Sequence, residues 1–410
     1  MSGLTVALLG GGRWGRTHAS VLAQLSERVG RVLWVSRYNK VALEAFLADI
    51  PGTGNRFTVL DSLDAALALR PDAAIVATSA ADHAETAAVL LRSGVPTLVE
   101  KPLALSVDEA RHLVDLAAER GIPLLVGLHL LRAPFLLHFL RLLEGRAVSV
   151  IELEWLDPEQ EIRHGVVKSS NVTTHKVDEI MPHLWSLLHL VNDSAEPQPC
   201  TVKPFAQGAV EVEAGLGEAR ATLRFGRRAL ARKRRIRLVF RNGGYAELDF
   251  TQEPGAIIVD GVQQSSFVKD GKTGPLAVEL AGFLDIVRLS QDAGSSPQSA
   301  SRCIGAVELA EAVRARLVAE EAGAAAARLS CGGSMRDPDV SAWVIDNIAP
   351  LLDVREPRTE NERRELTDLI LDAAEIAGPT GHVGDDRLRP IIATIRQSDF
   401  FGRLSGGLSA

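Results

Sequence analysis

Short apolar runs alternate with segments of helical spacing through the first third of the chain. Leu4–Leu9 leads into a helical pattern near Arg16–Leu22, and Arg31–Val35 and Phe57–Leu60 follow as further apolar runs. Then come a helix over Leu63–Leu69, the run Ala73–Thr78, a helix over His83–Ser93, the run Thr97–Glu100, a helix over Val107–Arg120 and the run Pro123–Leu128. Wholly apolar strands interleaved with helices predict a doubly wound parallel sheet, an α/β Rossmann domain over residues 1–128. After residue 145 strand follows strand: Val148–Trp155, Cys200–Ala206, Val210–Ala214, Ala219–Phe225, Arg234–Phe240, Tyr245–Phe250 and Ala256–Asp260, interrupted by one clear helix, Pro182–Val191. This texture predicts an α+β domain over 129–325 with an open, mostly antiparallel sheet, closed by helices over Leu276–Leu289 and Ala300–Glu320. Residues 331–410 read as a helical C-terminal extension, from the apolar spacing of Val340, Ile345, Ile348 and Leu352 and a Thr359-x-x-Glu362 capping box.

Composition removes several classes of function. The 410 residues are 46% hydrophobic, enough for two buried cores, and the net charge of -7 argues against nucleic acid or an anionic membrane as partner. Cys200, Cys303 and Cys331 are far apart, so neither a disulfide framework nor a metal site is expected. No run approaches the roughly 18 apolar residues of a membrane span, and the first apolar run lacks a basic leader, so a cytoplasmic protein is expected. Asn171-Val172-Thr173 has the form of a glycosylation acceptor, which such a protein does not use.

The first chemistry lies directly after Leu4–Leu9, where Gly10-Gly11-Gly12-Arg13-Trp14-Gly15 fits G-x-G-x-x-G between a strand and a helix. Gly10 permits the tight turn, Gly12 lets backbone amides approach a diphosphate, and Gly15 lets the helix pack close to the strand. Arg13 and Trp14 belong to the same cofactor loop. The second apolar run ends in Ser36-Arg37, with no carboxylate for a ribose 2'-hydroxyl, and a hydroxyl followed by a guanidinium suits a 2'-phosphate. NADP(H) is therefore expected in preference to NAD(H). Glu100-Lys101-Pro102 falls at the carboxyl end of a later strand, where doubly wound folds bind their ligands, with Thr78, Ser79 and His83 at the end of the strand before it. Within the same series, Asp61-Ser62-Leu63 is read as a helix cap rather than a phosphopantetheine site.

These residues resemble the Gfo/Idh/MocA oxidoreductases, named for glucose-fructose oxidoreductase and inositol dehydrogenase. The likeness spans about residues 3–320 and rests on the glycine loop, on Ile75–Thr78 with His83, on Glu100-Lys101-Pro102-Leu103-Ala104 and on the helical close from Ser296-Pro297 to Ala312. It implies a nicotinamide-dependent enzyme acting on a sugar, polyol or related small molecule, with a Rossmann domain followed by an open-sheet domain that often builds oligomer contacts. It also implies that a helix of the second domain carries an Asp, a catalytic His four residues on and another Asp three further. Here Glu179 takes the first place, His183 falls on the His, and Ser186 replaces the last Asp. The family's glycine-rich lead-in is replaced by Thr173-Thr174-His175-Lys176.

Alcohol oxidation needs a base near neutrality within about 3 Å of the hydroxyl, and imidazole supplies one. Pro182 is expected near a helix start, which places His183 in the first turn, where the helix dipole disfavours imidazolium. Lys101 is expected to bond the same substrate oxygen, the two basic groups converging beside the nicotinamide, while Glu179 orients His183 or binds a neighbouring hydroxyl. Two alternatives stay open: an imine or carbonyl reductase of a biosynthetic pathway, and a non-catalytic nucleotide-binding subunit. His175 and Lys176 are read as cleft residues or a solvated loop. The arginine run Arg227, Arg228, Arg232, Arg234, Arg235, Arg237 and Arg241 is read as a solvated hairpin or the seat of a phosphorylated or nucleotide-linked substrate. Residues 331–410 are expected to pack in a homo-oligomer or to dock a partner protein.

Overall fold

The computed structural model describes residues 3–143, 145–163, 166–265, 274–352, 354, 356–357, 359–377, 385–398 and 400–401. The remaining positions of the extension expected over 331–410 lie outside the described residues. Two compact units emerge, Met1–Arg141 with Phe267–Glu308, and Leu142–Ser266 with Leu309–Ala410.

The first unit contains, in order, β1 (Leu4–Leu9), α1 (Arg13–Gln24), β2 (Val29–Val35), α2 (Lys40–Ala48), β3 (Phe57–Leu60), α3 (Leu63–Ala68), β4 (Ala73–Val76), α4 (His83–Arg92), β5 (Thr97–Glu100), α5 (Val107–Arg120), β6 (Leu124–Gly127) and α6 (Pro134–Arg141). The six strands form one parallel sheet in the order β3-β2-β1-β4-β5-β6. The order reverses between β1 and β4, the switch point where such sheets bind ligands. Local signals set the helix ends. The Ser62 hydroxyl accepts from Ala65 N at 3.2 Å, the cap expected there, Ser106 accepts from Glu109 N at 3.3 Å, and α5 stops on Gly121 in the left-handed region.

In the second unit β7 (Val148–Leu156), the hairpin β8 (Gln160–Arg163) and β9 (Val166–Ser169), and α7 (Lys176–Val191) precede β10 (Gln198–Pro204), β11 (Val210–Leu216), β12 (Ala219–Gly226), β13 (Lys233–Phe240), β14 (Tyr245–Asp249), β15 (Ala256–Val259) and β16 (Val262–Gln263). The eight-stranded sheet runs β10-β11-β12-β7-β13-β14-β15-β16, antiparallel except where β12 pairs β7. Along β13 burial alternates strictly, so Ile236, Leu238 and Phe240 face the core while Arg235 and Arg237 face outward.

The chain then returns to the first unit as α8 (Pro275–Leu289), whose Leu280, Phe283 and Leu284 join Val6, Leu8, Trp34 and Leu98 in its core. The long α9 (Ala300–Ser330) begins in the first unit and ends in the second. After it come α10 (Pro338–Ile348), α11 (Glu360–Ala377) and α12 (Asp385–Arg396), with Thr359 Oγ1 accepting from Glu362 N at 3.1 Å. Val340, Val344, Ile348, Leu366 and Ile370 bury their apolar stripes together with Val172, so the C-terminal helices share a core with the segment that leads into α7.

Candidate active site

The glycine loop has the geometry a diphosphate needs. Gly10 sits at φ +115°, where a Cβ would meet the Ala77 carbonyl oxygen at 2.2 Å, and a Cβ on Gly15 would meet the Gly10 oxygen at 1.9 Å. The buried Trp34 indole donates to that same Gly10 oxygen at 2.8 Å and pins the turn, a contact that sequence reasoning missed. Gly12 caps α1 without a side-chain bond, the first turn holds no acid, and a Cβ there would meet nothing within 4 Å. Open space beside unopposed first-turn amides fits a dinucleotide diphosphate, held by Gly10–Gly15. At the end of β2, Ser36 is buried beside Gly11, and Arg37 is exposed with its guanidinium over the Tyr38 ring at 5.5 Å.

At the carboxyl end of β5 the side chains turn different ways. Glu100 is buried; it accepts from His18 Nε2 at 2.7 Å and from the Lys101 backbone N–H at 3.2 Å. Burial works to raise this carboxyl, but the bond and charge of His18, with His129 and Lys101, outweigh it and hold it below the usual carboxylate range. His18 stands on α1, so this pair joins the glycine-loop helix to the strand that carries Lys101. His83 is also buried, and burial holds its pKa down despite its bond to the Pro102 carbonyl. Its Nδ1 lies 2.7 Å from the Pro102 carbonyl oxygen and its Nε2 3.3 Å from that of Thr78, so the ring bridges the two loops. Thr78 and Ser79 lie in the turn before it, the Ser79 hydroxyl donating to Asp82 at 2.6 Å. Glu100 and His83 thus hold the loops around Lys101 rather than reaching outward.

Helix α7 departs from expectation. It starts at Lys176, not at Pro182, and Pro182 lies inside it. His183 is therefore two turns from the helix start, and the dipole argument for a neutral ring lapses, because that effect fades beyond the first turn. Buried anchors upstream of Pro182 make the longer helix possible. The His175 ring caps it, Nδ1 accepting from Val177 N at 3.2 Å, and Lys176 is wholly buried. Neither residue belongs to a solvated loop. His183 is buried with its ring stacked on Trp155 of β7, centroids 4.4 Å apart and planes 13° from parallel, and the Arg234 guanidinium lies 3.9 Å from the Trp155 centroid. Trp155 is a second residue that sequence reasoning missed, having marked it only as the end of an apolar run. Ser186, in place of the family's second Asp, bonds back to the Pro182 carbonyl at 2.8 Å.

Ion pairs account for the arginine run. Arg227 and Arg228 both bond the carboxylate of Asp346 on α10, at 2.9 and 3.0 Å, and Arg227 also donates to Glu179 at 3.2 Å. Arg234 and Arg232 hold Asp157, Arg235 holds Glu154, and Arg241 pairs with Glu218. Arg227 and Arg228 thus share a protein carboxylate as partner. Among the described residues no group of His, Cys, Asp and Glu is arranged to hold a metal ion, and no helix is long and apolar enough to cross a membrane.

A parallel sheet ordered 3-2-1-4-5-6 with this glycine loop, followed by an open-sheet unit, defines a dinucleotide-binding Rossmann oxidoreductase of two-domain type. Residues 4–128 match the family described as "Oxidoreductase family, NAD-binding Rossmann fold", GFO_IDH_MocA. The match is to the Rossmann domain of the Gfo/Idh/MocA oxidoreductases, and the relatives that the chain resembles include dehydrogenases. It is 28% identical to UDP-N-acetylglucosamine 3-dehydrogenase of Acidithiobacillus ferrooxidans over 332 residues, 77% of this chain and 97% of that relative. The solved structure of that dehydrogenase superposes with a TM-score of 0.62 at 24% identity, covering 77% of this chain and 98% of the other. Myo-inositol dehydrogenase Hyg17 of Streptomyces leeuwenhoekii is 35% identical over 128 residues, 30% of this chain and 36% of the relative.

Proposed function

We propose that the protein is an NADP(H)-dependent oxidoreductase acting on a secondary alcohol or ketone carbon of a sugar, with a nucleotide-linked sugar as the first substrate class to test. The observation that carries this reading is the match over nearly the full length of a UDP-N-acetylglucosamine 3-dehydrogenase, together with Lys101 at the strand end where the fold binds its ligands. A bound nicotinamide supplies the two-electron chemistry. The chain's own residues handle the proton and the charge. Lys101 bonds the reacting oxygen and stabilises its developing negative charge, and His183 takes the hydroxyl proton on oxidation and returns it on reduction. Glu179 bonds a neighbouring hydroxyl or orients His183. Ser36 and Arg37, with no carboxylate beside them, favour the 2'-phosphate.

Purified protein, NADP+ and UDP-N-acetylglucosamine, followed by nicotinamide absorbance, test the reaction. Turnover is expected, with Lys101→Ala and His183→Ala each losing about 10²- to 10⁴-fold in kcat. An active His183→Ala variant removes that residue from the mechanism, and the absence of turnover with any nucleotide sugar overturns the substrate class. Arg37→Ala is expected to weaken NADPH about ten- to hundredfold while leaving NADH nearly unchanged, as loss of a charge-assisted contact implies. Equal losses for both nucleotides refute the 2'-phosphate assignment.

A further inference from the structure

The segment before α7 is held by residues far ahead in the chain, past the end of the family likeness read from the sequence. Asp346, on α10, is fully buried and meets Arg227, Arg228 and Lys176, the last at 3.3 Å. Burial works against its ionisation, but Arg228, Arg227 and Lys176 together hold it well below the usual carboxylate range. Lys176 also pairs with Glu321 on α9, and Asp178 with Arg314 on the same helix. Beyond α10, Glu356 accepts from Val172 N at 3.2 Å, Thr173 N at 3.1 Å and the Thr173 hydroxyl at 2.8 Å. Lys176, Arg227, Arg228 and Arg314 therefore pair with Asp346, Glu321, Asp178 and Glu179 around the start of the helix that carries Glu179 and His183.

One guanidinium connects the two ends of this cluster. Arg227 gives Nη2 to Asp346, and its Nη1 faces Glu179, the Thr174 carbonyl at 2.8 Å and the Asn171 carbonyl. With Nη2 fixed, the planar fork has one orientation left, and that orientation sets where the Glu179 carboxylate lies. Glu179 is the most exposed carboxylate of the cluster, its side chain keeping 29%, while Asp346 keeps none. We propose that Asp346 is a positioning residue for the reaction: through Arg227 it fixes Glu179, so that the C-terminal helices form part of the catalytic unit rather than a separate docking module. This rests on the reading of Glu179 as a substrate-facing group.

The test is a cycle in the full-length chain, with Asp346→Asn and Glu179→Gln made singly and together and turnover of UDP-N-acetylglucosamine with NADP+ measured. Asp346→Asn is expected to lower kcat about tenfold or more with KM changed less than about threefold, the signature of misplacement rather than lost binding. In the Glu179→Gln background the same change is expected to cost nothing further. Equal losses in both backgrounds overturn the proposal. If wild-type protein turns over no nucleotide sugar, the substrate class has failed, and the inference is read from the ¹³C resonance of the Glu179 carboxyl, assigned by its loss in Glu179→Gln. Displacement of that resonance in Asp346→Asn supports the coupling, and an unmoved resonance overturns it. Should Asp346→Asn fail to fold, Arg227→Lys keeps the charge beside Asp346 and removes the fork that reaches Glu179. A loss of kcat with KM little changed, or a displaced Glu179 resonance, then supports the proposal, and the absence of both overturns it.

Discussion

The starts of α1 and α7 solve the same problem, presenting chemistry at the end of a helix, by opposite means. α1 begins on a bare glycine with its amides open, and its turn is shaped by close backbone approaches, to the Ala77 carbonyl and within the loop itself, and by the Trp34 indole. α7 begins on a buried histidine, and its first turn is fixed by Arg227, Arg314, Glu321 and Asp346, contributed from as far away as α10. On the proposed function, the contrast follows from what each must hold. An anion can be bound by backbone alone, so the only demand is absence of side chains. A proton-transfer group is a side chain, and its geometry is only as good as the shell that locks it.

The comparison breaks first at Asp346. Asp346→Ala leaves Lys176 and Arg227 buried, and Arg228 half-buried, around a missing charge, and stranding buried partners costs roughly 3–5 kcal/mol, whatever the intact pair is worth against an apolar replacement. Urea unfolding is expected to show that loss in the second unit while NADPH still binds to the first. A loss below about 1 kcal/mol would mean that the cluster follows the fold rather than fixing it. On the other side, Gly15→Ala forces a Cβ against the Gly10 oxygen and is expected to cost about 1–3 kcal/mol. Gly12→Ala sharpens the point. With nothing within 4 Å of the added carbon, stability should hold while NADPH affinity falls, because the new methyl occupies the approach to the amides. If Gly12→Ala binds NADPH as wild type does, the diphosphate lies elsewhere.

The same difference explains what could be read from the sequence. The parallel sheet, the glycine loop and the position of Lys101 are local features, written in apolar periodicity and glycine spacing, and the structure has each strand of that sheet where the pattern put it. The open sheet was legible for the same reason, although the β8–β9 hairpin was not, having no apolar run to mark it. The start of α7 was misread because Pro182 is a strong local signal, and what overrides it, the burial of His175 and Lys176 among carboxylates from α9 and α10, has no local trace. Asp346 sits in an unremarkable stretch, Trp-Val-Ile-Asp-Asn-Ile, and nothing there announces a partner at Arg227. The arginine run was visible as charge. Its purpose was not, because the carboxylates that neutralise it come from other strands and helices.

The finest test separates the two helix starts by pH. Burial, reinforced by the nearby cations Lys176, Arg227 and Arg314 and opposed by Asp346, pushes His175 down to about 3. The folded chain therefore leaves this ring unprotonated where the unfolded chain, with an ordinary histidine near 6.5, takes up a proton. Stability is lost as pH falls below about 6.5, at up to about 1.4 kcal/mol per pH unit for this one group. Asp178, Glu321 and Glu356, all raised by burial, act in the opposite sense, since they bind protons earlier when folded. The overall pH curve is thus a sum of opposing slopes, and only a difference measurement isolates one of them. His175→Asn keeps a side-chain acceptor for the Val177 amide and removes the titration. Between pH 7 and pH 5 the variant is expected to lose about 2 kcal/mol less unfolding free energy than wild type, read from urea curves at each pH. Parallel curves would mean that the ring is reached by solvent and protonated in the folded state. The closed, charge-locked start of α7 would then be as open as that of α1, and the contrast between them would rest on Asp346 alone.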